Sequence, residues 1–142
     1  MKEFNDWSEY LGDKGRTHYS SLNQINTTNI NNLEISWIYN SGDLEKDQKT
    51  QIQCSPIVVN GILYGTNPKI KLFAIDGKTG KEVWKFNPDD KVAPGWGVNR
   101  GVIHWNDNQD GRIIYTSGKY IYAVDALSGE IEESFGENGK VD

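Results

Sequence analysis

The sequence predicts an all-β chain built from repeated four-stranded units. Short apolar runs alternate with turn residues, and no segment sustains the helical period of 3.6. Asn60-Gly61 lies between two apolar runs, the strongest short-range sign of a β-hairpin. Third, Ala74-Ile75-Asp76-Gly77-Lys78-Thr79-Gly80-Lys81-Glu82 recurs as Ala123-Val124-Asp125-Ala126-Leu127-Ser128-Gly129-Glu130-Ile131, an offset of 49 residues.

In chain order, residues 1–32 are polar, rich in Asn, Ser and Thr, and are expected as an extended N-terminal segment with a short helical turn. Asn26 or Thr27 can cap that turn by accepting from free backbone N–H groups. Residues 33–142 form the repeated part. Leu33–Asn40 alternates Ile35, Trp37 and Tyr39 with Glu34, Ser36 and Asn40, a strand pattern that Ile38 interrupts. Pro56–Val59 and Ile62–Thr66 should pair across a type I′ turn at Asn60-Gly61, where both residues need positive φ. Lys71–Ile75 and Glu82–Phe86 follow, joined by a tight turn at Gly77-Lys78-Thr79-Gly80. Gly101–Trp105, Arg112–Thr116, Tyr120–Val124 and Glu130–Phe135 repeat the four-strand plan.

A period near 49 residues with four strands per unit is the signature of a β-propeller blade. Each position of the repeat has a physical task. Alanine lets neighbouring blades approach. Aspartate accepts from turn N–H groups. Thr/Ser-Gly closes the turn, with glycine free to take positive φ. Trp84 should lie between blades with its indole N–H on a carbonyl. The second unit offers Ser134 or Phe135 in that slot, so that copy is degraded. Trp37 resembles the end of a strand from a preceding blade. The expected fold is therefore a partial β-propeller, about two blades plus an N-terminal strand of the closing blade. A closed propeller needs at least four blades, so 142 residues fit part of a longer propeller.

Composition narrows the function classes. The chain carries 15 basic and 20 acidic residues, a net charge of −5, with no basic block to meet nucleic acid. No apolar run approaches a membrane span of about 18 residues. A single cysteine, Cys54, permits neither an internal disulfide nor a paired-cysteine metal site. The hydrophobic fraction of 36% is low for a self-sufficient core. The start, Met1-Lys2-Glu3-Phe4-Asn5-Asp6, has no signal-peptide pattern. It fits either a cytoplasmic protein or a processed or engineered start.

Five segments resemble one family. The AxDxxTGxxxW pattern at Ala74–Trp84 is similar to the tryptophan-docking repeat of eight-bladed quinoprotein dehydrogenases, which use pyrroloquinoline quinone (PQQ). Asp6-Trp7-Ser8-Glu9-Tyr10 with Gly15-Arg16 and Tyr19 through Asn26 resembles the mature N-terminus of these enzymes. Gln53-Cys54-Ser55-Pro56-Ile57-Val58-Val59-Asn60-Gly61 and Asn99-Arg100-Gly101-Val102-Ile103-His104-Trp105 resemble two further segments. The end, Phe135-Gly136-Glu137-Asn138-Gly139-Lys140-Val141-Asp142, resembles the glucose-dehydrogenase-like branch. The vicinal cysteine pair of the alcohol dehydrogenases is absent from Val92–Val98, which also favours a sugar or polyol branch.

The resemblance implies that Arg100 approaches the quinone oxygens of PQQ, where a guanidinium stabilises negative charge. The competing assignment is an inter-strand ion pair. Gln53 stands where the family usually places a cofactor-contacting Glu; an amide still donates and accepts but carries no charge. The competing assignment is a polar residue at the channel rim. The family's catalytic Asp, its Ca²⁺ ligands and the Trp beneath PQQ lie farther along such chains, and none can be placed here. The resemblance implies PQQ and Ca²⁺ for the whole protein, with neither bound tightly by these 142 residues alone. It implies a sugar or alcohol substrate, a quinone acceptor, a periplasmic location and room for membrane association. The isolated chain is expected to be inactive and to self-associate through open blade faces. The alternative is a non-catalytic propeller scaffold.

Other candidates are expected to be structural. Cys54 reads as a small buried hydrophobe, His104 as a strand-side residue, and His18 as part of the polar N-terminal segment. Asp89-Asp90 and Asp107-Asn108-Gln109-Asp110-Gly111 read as solvated turns, since the second lacks the twelfth-position Glu of a Ca²⁺ loop.

Overall fold

The computed structural model describes residues 6–43, 50–88, 98–106 and 111–142. Two four-stranded antiparallel sheets form, each in simple sequential order. The first contains β1 (Ile57–Val59), β2 (Ile62–Thr66), β3 (Leu72–Asp76) and β4 (Glu82–Phe86). The second contains β5 (Ile103–Asn106), β6 (Gly111–Ser117), β7 (Tyr120–Asp125) and β8 (Lys140–Val141). This is the blade plan that the repeat predicts. The Asn60-Gly61 turn has φ of 51° and 77° and sets Val59 opposite Ile62, as a type I′ turn requires.

Register places the core. The cross-strand row Ile57, Tyr64, Ala74 and Trp84 runs across the first sheet on one face. The second sheet answers with Ile113 and Val124, then Tyr115 and Tyr122. All eight side chains are buried and belong to one apolar cluster that joins the sheets. Ala74 and Ala123 are fully buried, consistent with small residues at the crowded positions.

The two repeated turns are near copies. Asp76 Oδ1 accepts from the N–H of Lys78 and of Thr79 and from Thr79 Oγ1, at 3.1, 2.7 and 2.8 Å. Asp125 Oδ1 accepts from the N–H of Leu127 and of Ser128 and from Ser128 Oγ, at 3.0, 2.6 and 2.8 Å. Gly80 and Gly129 take φ of 72° and 76°. The preceding unit's indole lies over each turn. Trp37 Nε1 donates to the Gly77 carbonyl at 3.0 Å, and Trp84 Nε1 to that of Ala126 at 3.1 Å.

Three expectations need correction. Leu33–Asn40 forms no strand. Trp37 is seated, but a ladder needs a neighbouring strand, and none among the described residues lies beside it. Ile35 and Ile38 are accordingly 77% and 82% exposed. Side chains clip the end of this segment to the first sheet instead. Tyr39 donates to Glu82 and packs on Phe73, and Asp43 takes Lys71 and Asn67. The last strand of the second sheet is Lys140–Val141, not Glu130–Phe135, where only Ile131 bridges to Val124. Gly136 and Gly139, at φ of 59° and 83°, turn the chain so that Val141 reaches Ile121. The helical turn is a 3₁₀ turn at Ile30–Asn32 that Asn29 precedes without a side-chain cap. Asn26 accepts from the N–H of Thr28 one step earlier.

Candidate functional site

The sheets meet at the entrances to their first strands. Ser55, just before β1, forms a parallel bridge with Gly101, just before β5. The Ser55 N–H donates to the Arg100 carbonyl at 2.9 Å. This brings the segments of Gln53 and Arg100 together, although they are distant in sequence.

Gln53 is half-buried and Arg100 is exposed. Among the described residues no carboxylate pairs with the Arg100 guanidinium, so the inter-strand ion pair does not form there. The backbone around Arg100 is fixed while its side chain is open. Asn99 is buried; its Oδ1 accepts from the Gly101 N–H at 2.9 Å and its Nδ2 donates to the Thr116 carbonyl at 3.1 Å. Sequence reasoning gave Asn99 no task. The available sign was an amide two residues before a glycine, a spacing that suits a side chain closing on a backbone N–H.

Cys54 is half-buried beside Thr66; burial raises its thiol pKa, and hydrogen bonds from Thr66 only partly offset that. His104 sits on β5 with its ring against Gly111, where burial lowers its pKa and Asp6 acts weakly the other way. His18 is exposed, and its N–H donates to the Leu11 carbonyl. Asp89, Asp90 and residues 107–110 lie outside the described residues.

The donor set suits an anionic, oxygen-rich cofactor. An open guanidinium and an amide stand on adjacent fixed segments, able to donate to carboxylate or quinone oxygens. Among the described residues no three His, Cys, Asp or Glu side chains gather as a metal site. No helix among them is long and apolar enough to cross a membrane.

Two stacked blades with sequential strand order and paired turn-indole contacts define a segment of a quinoprotein-type β-propeller. The chain belongs to the PQQ family described as glucose/ethanol/alcohol dehydrogenase, β-propeller domain, which it matches over residues 7–142. It is 32% identical over 142 residues to the dehydrogenase subunit of a quinone-dependent alcohol dehydrogenase of Gluconobacter oxydans (strain 621H), covering 89% of this chain and 18% of that one. It is 29% identical over 168 residues to quinoprotein glucose dehydrogenase A of Acinetobacter calcoaceticus, covering 96% and 20%. Among solved structures, quinohemoprotein alcohol dehydrogenase from Comamonas testosteroni superposes with a TM-score of 0.76 at 29% identity, covering 92% of this chain and 19% of that one. The chain thus spans about a fifth of the length of the curated relatives it matches.

Proposed function

We propose that this chain is part of a PQQ-dependent dehydrogenase of the glucose type, which oxidises a sugar or alcohol hydroxyl and passes electrons to a quinone. Residues 33–142 supply the first blades, and residues 1–32 supply a segment that clasps them. The observation that carries this reading is the exposed guanidinium of Arg100, which meets no carboxylate among the described residues, on a backbone clamped to the segment that carries Gln53. PQQ, when bound, takes the two electrons removed from the substrate. Arg100 would donate to its quinone oxygens, and Gln53 would add a neutral amide contact. The catalytic base and the Ca²⁺ ligands would come from elsewhere in the whole protein, which we place in the periplasm.

The test is PQQ binding by the intact protein that carries this sequence. Arg100→Gln should weaken binding by about tenfold or more, the scale of a lost charge-assisted hydrogen bond. Unchanged binding would refute the assignment. A second reading, a non-catalytic scaffold, draws on Gln53 standing in place of the family's usual Glu. Dye-linked sugar oxidation by the intact protein with PQQ and Ca²⁺ separates the two, because a scaffold gives no turnover.

For residues 1–142 alone we propose no turnover and self-association. Ile103, Trp105, Ile121 and Val141 share the outer face of the second sheet and are 60%, 42%, 41% and 41% exposed. An apolar face of that kind templates association. A sharp monomer in sedimentation velocity would refute it.

A further inference from the structure

We infer that Tyr10 is a positioning residue for Arg100, acting through Gly101; this rests on the reading of Arg100 as a cofactor contact. The Tyr10 ring lies against the Cα of Gly101, where an added Cβ would stand 2.8 Å from Cδ2 and 3.2 Å from Cε2. Gly101 is not among the glycines with positive φ. A left-handed φ therefore does not call for glycine here, whereas the space taken by the ring does.

The contact completes a clamp. The Arg100 carbonyl accepts from Ser55, and the Gly101 N–H is taken by Asn99, itself anchored on Thr116. Those bonds restrain the peptide within its own plane. Tyr10 closes the remaining side by contact with Gly101.

Tyr10 is held in turn. Trp7 exchanges both backbone hydrogen bonds with Val58, each 2.9 Å. The Glu9–Gly12 bridge folds the segment back, and the Trp7 ring lies over Gly12, where a Cβ would come within 2.9 Å of it. The Arg16 guanidinium sits 5.8 Å from the Tyr10 ring centroid. The first described residues thus hook over the start of both sheets and press on the residue after Arg100. A long arginine side chain loses less freedom on binding when its backbone is already fixed.

The test uses the intact protein that carries this sequence, with Tyr10→Ala, Tyr10→Phe and Arg100→Gln. Trypsin cleavage after Arg100 is compared with cleavage after Lys85 in β4, and PQQ affinity is measured by titration. Tyr10→Ala should speed cleavage after Arg100 by about tenfold, as local loosening does, and leave Lys85 unchanged. It should also weaken PQQ binding by about tenfold, within the range that small misplacement produces. Tyr10→Phe, which keeps the ring, should restore both. Equal acceleration at Lys85 would mean general unfolding and overturn the inference. So would wild-type PQQ affinity in Tyr10→Ala where Arg100→Gln is weakened. Wild-type affinity in Arg100→Gln would instead remove the cofactor assignment, and the inference with it.

Discussion

The indole of Trp84 and the carbonyl of Ala126, in the turn just after β7, join the two sheets, with Nε1 donating at 3.1 Å. The Tyr64 hydroxyl donates to the same oxygen at 3.1 Å, so one carbonyl of the second sheet receives two side chains of the first. Trp84→Phe removes one donor and leaves the carbonyl satisfied by Tyr64. It should cost about 1–2 kcal/mol. Trp84→Ala also opens a cavity at a buried site and should cost about 3–5 kcal/mol. Urea unfolding of the protein monitored by circular dichroism measures both.

Gly129 shows why the turn cannot carry a side chain. A Cβ there would stand 2.5 Å from Trp84 Cδ2, on a backbone at φ of 76°. Gly61 has nearly the same φ, 77°, with nothing within 4 Å of the added atom. Gly61→Ala should therefore cost only the left-handed backbone penalty, about 1 kcal/mol. Gly129→Ala should cost that penalty plus displacement of the indole, about 2–4 kcal/mol in all. Similar values for the two would show that the indole contact is slack.

The two turn aspartates give a pH dependence. Hydrogen bonds from Thr79, first through its side chain and then its N–H, hold Asp76 below the ordinary carboxylate value. Burial acts against Asp125, but the bonds from Ser128 and Leu127 outweigh it and hold that carboxylate low as well. A carboxylate with a lower pKa in the folded state adds stability above its unfolded pKa, and that stability is lost as pH falls through the folded value. Both turns should weaken below about pH 4, and Thr79→Val should move the Asp76 titration upward. Carboxyl-carbon NMR titration reads this directly; an unmoved Asp76 would refute it.

Local chemistry was legible and remote contact was not. Asn60-Gly61, the Asp76 and Asp125 turns and strand β4 depend on neighbours in sequence, and the structure contains them as expected. Trp84 was readable as an inter-sheet residue because the repeat supplies its seat at Ala126 and Gly129. Leu33–Asn40 has the alternation of a strand, but pairing is decided by what lies alongside. In Glu130–Phe135 the two glycines that follow redirect the pairing to Lys140 and Val141. Gln53 and Arg100 could be picked out by resemblance. That their chain segments meet depends on the Ser55–Gly101 bridge, and the contacts of Tyr10 and Asn99 with Gly101 depend on packing that no local pattern encodes.

Cys54 should be slow to react although it is the only thiol in the chain. Burial raises its pKa above the ordinary cysteine value, and the hydrogen bonds from Thr66 pull it back only in part. Thiolate is the reactive form, so labelling by a disulfide reagent at pH 7 should run at least about tenfold below that of the urea-unfolded chain.

Tyr115 bears on how the inter-sheet core tolerates polarity. Its ring is buried between Phe86 and Tyr122, at centroid distances of 6.3 and 5.8 Å. Among the described residues its hydroxyl finds no hydrogen-bond partner. Burial, with a smaller contribution from Tyr122, drives its pKa far above the tyrosine value, so it stays neutral throughout the working range. An unsatisfied buried hydroxyl carries a desolvation penalty of about 1–3 kcal/mol, while the ring supplies the packing. Tyr115→Phe should therefore leave stability unchanged or raise it by up to about 1 kcal/mol, unlike most core substitutions. A loss above about 1 kcal/mol in urea unfolding would mean that the hydroxyl has a partner in solution, such as an ordered water.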